Sequence, residues 1–240
     1  MLTRLARRAL SDWGGVARDQ GARAGEVTLV IDDGPAESTA ELMAALESGG
    51  HRATFFLIGA NVEGREAILA DAVRRGFALG NHSFDHPHFS EIGVAEARAS
   101  IEKTEALIDA VYREAAVPRP GKWFRFPYLD FGGEQAAAIQ TLLRELKFER
   151  PWGMTSRIWD EDQGRVDWPT TVCTWDWELP PETKFRARVR SAEPGDIVEF
   201  HDNRDTVGRY ARLLSEELSR RGLRATVPST TEPEPVREAE

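Results

Sequence analysis

The chain has 240 residues, enough to bury one sizeable core without a staple, and its single cysteine, Cys173, excludes an internal disulfide. A formal net charge of −9 and a pI near 5.2 argue against nucleic acid as the main partner. Arg4, Arg7 and Arg8 are followed by Asp12, Gly14, Gly15, Arg18 and Asp19 instead of an apolar stretch, so the sequence predicts no signal peptide, no membrane span and a cytoplasmic location.

From residue 25 to 228, apolar strand-like runs alternate with helical patterns, the signature of an α/β domain. Val27–Ile31 predicts the first strand. Ser38 and Glu41 have capping-box spacing and open a helix that ends near Gly49-Gly50. Ala53–Ile58 lacks alternation and reads as a buried strand. A helix through Ile68 and Val73 stops at Gly76, and Phe77–Leu79 is the next strand. Val94, Ala97, Ile101, Leu107, Ile108 and Val111 follow helical spacing and predict a helix from Val94 to Arg113. Trp123–Phe126 reads as a short strand and Glu134–Leu146 as a helix.

Pro151–Pro169 breaks the pattern. It carries Trp152, Trp159 and Trp168 among Asp160, Glu161 and Asp162, and its length predicts a functional or capping loop. Thr170–Trp175 and Asp196–Phe200 follow as strands, then a helix over Thr206–Arg221 and a last strand at Leu223–Val227. Residues 1–24 read as an N-terminal extension and 229–240, with Glu232-Pro233-Glu234-Pro235, as a disordered tail.

Five motifs fall at the ends of these elements. Asp32-Asp33-Gly34-Pro35 ends the first strand, and strand carboxyl ends gather on one face of a parallel α/β fold. Two adjacent carboxylates there can divide labour, one binding metal and the other taking a proton. His82 and His86 stand four residues apart and can face one way on a helical turn. With one carboxylate they form a metal site that keeps open positions, the mark of a catalytic site. Arg125, in Arg125-Phe126-Pro127-Tyr128, can grip a carboxylate by paired hydrogen bonds. Trp175-Asp176-Trp177 and His201-Asp202 complete the set. Singly, each has an ordinary structural reading as a turn, loop histidines, a surface arginine or an aromatic cluster. His51, in a Gly-Gly-His-Arg turn, and His88, with no partner at ligand spacing, keep that reading.

In this order, over about Val27 to Val227, the motifs resemble the polysaccharide deacetylases of the NodB-homology type, carbohydrate esterase family 4. The resemblance implies a distorted (β/α) barrel of seven or eight strands. It implies one divalent metal ion, zinc first and cobalt, manganese, nickel or iron as alternatives. It implies hydrolytic removal of an acyl group, usually N-acetyl, from an amino sugar or a small amine- or sugar-containing molecule. Asp33, His82 and His86 would bind the metal, Asp32 would be the general base, and Arg125 would orient it. The backbone N–H of Tyr128 would face the oxyanion, and His201 would be the general acid, supported by Asp176. Tyr128, Trp177 and Glu199 would contact substrate. Zinc on three protein ligands lowers the pKa of its water to about 7, and an amine leaves poorly unless an acid protonates it.

Three positions depart from the family pattern. Ile31 replaces an aromatic residue, Cys173 stands where an acid is frequent, and Glu199 replaces a leucine that lines the acyl pocket. A carboxylate in an apolar pocket is costly unless paired or protonated. Either the pocket is remodelled or the strand end sits differently. With Asp160, Glu161 and Asp162, Glu199 suggests an acidic, aromatic-lined cleft for a cationic or multiply hydroxylated ligand; the alternative has Glu199 pointing away. Two rival functions stand beside the deacylase: a carbohydrate-binding member without activity, and an iron-dependent oxygenase, since two histidines and one carboxylate also form the iron facial triad.

Overall fold

The computed structural model describes residues 25–148, 158–160, 165–167, 171–174, 176–202 and 207–228. Strand β1, Glu26–Asp32, is buried at every residue, as its uninterrupted apolar run requires. It pairs in parallel with β2, Thr54–Leu57, and β2 with β3, Ala78–Asn81. On its other edge β1 pairs with β7, Ile197–His201, in a register that matches Val30 with Glu199 and Asp32 with His201. β6, Thr171–Cys173, continues beyond β7 with Cys173 opposite Glu199. β8, Arg224–Thr226, pairs with the first residues of β1, so it shares the β2 edge. The result is one parallel sheet of six described strands in the order β3-β2-β1-β7-β6, with β8 on β1.

Helices α1 (Thr39–Ser48), α2 (Glu66–Arg74), α3 (Val94–Ala115), α4 (Ala136–Glu145), α5 (Glu182–Val189) and α6 (Val207–Arg220) connect these strands. The two faces of the sheet differ. Leu29, Ile31, Phe55, Leu57, Leu79, Val198 and Phe200 pack with helix residues such as Leu42, Leu46, Leu69 and Leu214 in the main core. The alternate positions Val30, Phe56, Ala78 and Ile197 form a separate small cluster with Trp123. Successive strand residues point to opposite faces. Two residues beyond Val30 and Ile197, that inner face therefore turns polar with Asp32, Glu199 and His201. The apolar layer closes the interior below, and the chemistry sits on top at the carboxyl ends of the strands. This is the expected α/β barrel architecture.

Several expectations change. Ser38 makes no capping bond to its own helix; its hydroxyl donates to Asp202 Oδ1 at 2.6 Å. Glu41 instead pairs with Arg212 at 2.6 Å, so the predicted capping box does not form. Trp123–Phe126 contributes one bridge, Asn81 to Phe124, instead of a full strand. Pro127, which has no N–H to offer a ladder, starts a short 3₁₀ turn right after it. α5 has no counterpart in the sequence reading, because only Phe185 and Val189 are buried in an otherwise charged segment behind Pro180-Pro181. The 151–169 loop contains an antiparallel pair, β4 (Ile158–Asp160) with β5 (Arg165–Asp167). Residues 1–24 and 229–240, with most of that loop, lie outside the described residues.

Gly80 tests the tightness of the interior. A Cβ there would lie 2.5 Å from the Phe56 ring, which is fully buried. Gly80→Ala is expected to cost about 1–3 kcal/mol of unfolding free energy in a urea titration. An unchanged midpoint would mean that the inner cluster can expand.

Candidate active site

β1 delivers Asp32 into the interior, and the chain then turns through Asp33 with φ of 71°. Asp202 seats that turn: its N–H donates to the Asp32 carbonyl at 2.9 Å, and its carboxylate accepts from Ser38 and Thr39. β3 delivers His82. Asn81, fully buried, donates to the Ile101 carbonyl and to Glu105, and accepts the Ser83 N–H at 2.8 Å. Ser83 and His86 both take left-handed φ, 66° and 56°. His82 and His86 thus converge through a looped turn and not through the helical turn that their spacing suggests. Tyr128 and Leu129, at φ of 54° and 56°, share this sparsely populated backbone region. Such conformations persist where the surroundings over-determine them, and they cluster at functional sites.

Asp33 Oδ1 lies 3.5 Å from His82 Nε2 and 3.2 Å from His86 Nε2, and the two Nε2 atoms are 3.2 Å apart. Ligands about 2.0–2.1 Å from a tetrahedral ion sit about 3.3–3.4 Å from one another, so the three atoms fit the edges of such a site. His82 Nδ1 is 2.8 Å from the Arg125 carbonyl. The ring N–H is therefore placed at Nδ1, which leaves the Nε2 lone pair for a metal. Although burial opposes its charge, Asp33 is held well below the usual carboxylate range by hydrogen bonds and charge from the two histidines. Among the described residues, this is the one cluster of three metal-ligating groups.

Arg125, fully buried, donates from Nε to Asp32 Oδ2 at 2.6 Å and from Nη2 to Glu199 Oε2. Burial works against the guanidinium, and the Asp32 and Glu199 charges outweigh it and hold it protonated. Asp32 Oδ1 is buried without a hydrogen-bond partner among the described residues. Leaving a carboxylate oxygen so exposes the fold to a desolvation cost, which is explicable if that oxygen accepts a proton in a reaction. Glu199 does not stand as a free acidic wall. Its carboxylate is committed to Arg125, accepts from Cys173 Sγ at 3.2 Å and lies 4.0 Å from His201 Nε2. Pairing with Arg125 takes up the free charge that an acidic cleft would draw from Glu199. The other acids of the expected acidic cleft, Asp160, Glu161 and Asp162, have no described side chains.

His201 ends β7. Its Nδ1 is 3.0 Å from Asp176 Oδ1, its backbone N–H donates to Asp176 Oδ2, and Trp177 meets its ring edge-on at 4.7 Å. Burial disfavours the imidazolium, but the hydrogen bond and charge of Asp176, with the charges of Asp32 and Glu199, push the His201 pKa up to about 9. Tyr128 is 59% exposed. His88 stacks on it with ring centres 3.9 Å apart, and His86 meets it edge-on at 4.5 Å. The sequence reading set His88 aside with His51. His51 is structural, bonded between Ser215 and Ala225, and His88 stacks on Tyr128 in a contact that no ligand spacing reveals. The bonds made by Asn81, Asp202 and Ser100, which accepts the Phe84 N–H, leave no signal in the sequence.

Removing either imidazole should abolish binding of a divalent ion, whereas Asp32→Asn should leave it intact. Elemental analysis of reconstituted His82→Ala, His86→Ala and Asp32→Asn proteins checks this. Full stoichiometry in either histidine variant would disprove the ligand assignment.

The family model for polysaccharide deacetylase matches residues 19–148, a span that holds Asp32, Asp33, His82, His86, Arg125 and Tyr128 but not Asp176 or His201. A peptidoglycan-N-acetylglucosamine deacetylase from Bacillus cereus is 35% identical over 73% of this chain and 55% of its own length. The chain thus spans little more than half of that relative. A chitooligosaccharide deacetylase from Azorhizobium caulinodans is 26% identical over 73% of both chains. A family 4 carbohydrate esterase from Streptomyces lividans, solved in complex with acetate, superposes with a TM-score of 0.65 at 25% identity, covering 84% of this chain and 91% of its own. The chain belongs to the polysaccharide deacetylase family.

Proposed function

We propose that the chain hydrolyses the acyl–nitrogen bond of an N-acetylated amino sugar, with a divalent ion held by Asp33, His82 and His86. The observation that carries this reading is the split environment of Asp32, whose Oδ2 is gripped by Arg125 while Oδ1 is buried without a partner among the described residues. Bound there, the ion would polarise the acyl carbonyl and make water more acidic. The two-nitrogen, one-oxygen donor set suits zinc.

The remaining roles follow from the side chains. Asp32 Oδ1 takes a proton from the attacking water as the new C–O bond forms. Arg125 prevents Asp32 from rotating its free oxygen away. The Tyr128 backbone N–H donates to the developing oxyanion. His201, charged through Asp176, gives its proton to the amine nitrogen as the C–N bond breaks. The products are a carboxylate and an amine. Names of the related proteins support an amino-sugar substrate, and the exposed Tyr128 offers an aromatic face to a sugar ring. Acetate release from N-acetylchitooligosaccharides, with and without chelator, tests the reading. No release from any N-acetylated sugar by the metal-loaded protein would overturn it.

Two further outcomes are expected. Asp32→Asn should keep its metal and lose on the order of 10²-fold or more in rate. His201 must be protonated to act, so activity should fall as pH rises through its folded-state pKa, raised to about 9. Asp176→Asn removes the main group that raises it, so this limb of the pH–rate profile should move to lower pH. An unmoved limb would show that His201 is not the acid.

A further inference from the structure

Arg125 is a fully buried cation bonded to two carboxylates that come from neighbouring strands. Asp32 takes its Nε–H and Glu199 its Nη2–H. The Nε–H lies in the guanidinium plane and its bond to Asp32 orients that plane from one end. A second bond at the far end of the fork holds it from the other, because the donors are rigidly arranged. Glu199 and Asp32 lie on the same face of the sheet, with Val30 opposite Glu199 and Asp32 opposite His201, so both anchors are set by β-ladder geometry.

Resting on the deacylase reading, we propose that Glu199 is a positioning residue, which anchors the far side of Arg125 and thereby sets the direction of the free Asp32 oxygen. Glu199 is 5% exposed, so it is not a surface carboxylate paired by accident. Its other oxygen accepts from Cys173 Sγ at 3.2 Å, and Cys173 is its cross-strand partner on β6. Side chains at 173 and 199 therefore share one layer of the interior, directly beneath Asp32 and His201. A carboxylate carried by position 173 would enter the same layer as one carried by position 199. What the site requires is a carboxylate in that layer, and this chain supplies it from β7. Glu199→Leu leaves Arg125 paired with Asp32, so the buried cation keeps one counter-charge and the fold is retained.

The test combines kinetics with a direct view of the guanidinium. In metal-loaded protein, Glu199→Leu should lower kcat about tenfold or more on an N-acetylchitooligosaccharide, with KM and metal content changed less than about threefold. Glu199→Gln, which keeps shape and an acceptor but not the charge, should lie between the two. In ¹⁵N spectra the Arg125 Nε–H signal, identified by its loss in Arg125→Lys, should be protected from exchange in the wild type and exposed in Glu199→Leu. The double variant Cys173→Asp/Glu199→Leu, which moves the carboxylate across the β6–β7 register, should recover kcat several-fold over Glu199→Leu. A folded, metal-replete Glu199→Leu protein with wild-type kcat overturns the proposal. An Arg125 signal indifferent to Glu199 overturns it too, as does a double variant no faster than Glu199→Leu. A wild type inactive on every acylated sugar, with an Arg125 signal still dependent on Glu199, supports the anchor and counts against the deacylase reading.

Discussion

The site depends on one buried cation. Arg125 has no access to water, and a guanidinium in that position is tolerable only with counter-charges at hydrogen-bond distance. Asp32 supplies one and Glu199 the other. Because the guanidinium occupies one oxygen of Asp32, the other is left buried without a hydrogen-bond partner among the described residues, the position that the proposed proton acceptor needs. The same residue lends its backbone carbonyl to His82 Nδ1, which fixes the tautomer of a proposed metal ligand. The proposed base and the proposed metal ligands are thus tied to a single side chain and its own peptide group.

The fold supplies the frame for this tie. The inner face of the sheet is apolar at Val30, Phe56 and Ile197 and becomes ionic two residues later along β1 and β7. That order lets well-packed strands aim Asp32, Glu199 and His201, while the proposed metal ligands Asp33 and His86 come from left-handed turns just beyond the strand ends. Rigid elements hold the charges, and the turns are held in their turn by buried polar groups, Asn81 for one and Asp202 for the other.

Much of this was legible in the sequence, and the failures have physical causes. β1, β2 and their neighbours announced themselves because strands buried on both faces read as apolar runs. Asp32, Asp33, His82, His86, Arg125, Asp176 and His201 stand at strand ends or in the turns that follow, where motif order alone gathers them. The Ser38 hydroxyl was misread as a cap because its partner, Asp202, lies 164 residues away. His88 was passed over because stacking on Tyr128 leaves no mark in spacing. Glu199 was recognised as anomalous in an acyl-pocket position, but only the structure shows Arg125 as the partner that makes a buried carboxylate tolerable. The helical turn expected for His82 and His86 gave way to left-handed residues at Ser83 and His86.

The central claim is that Asp33, His82 and His86 hold the metal while Arg125 keeps Asp32 beside it as a base and not as a ligand. Anomalous diffraction at the absorption edge of a zinc-loaded crystal tests this most directly. The account predicts one peak about 2.0–2.2 Å from Asp33 Oδ1 and from both Nε2 atoms, with Asp32 still bonded to Arg125 and outside bonding distance. A peak bonded to Asp32, or lying away from the two histidines, would contradict it.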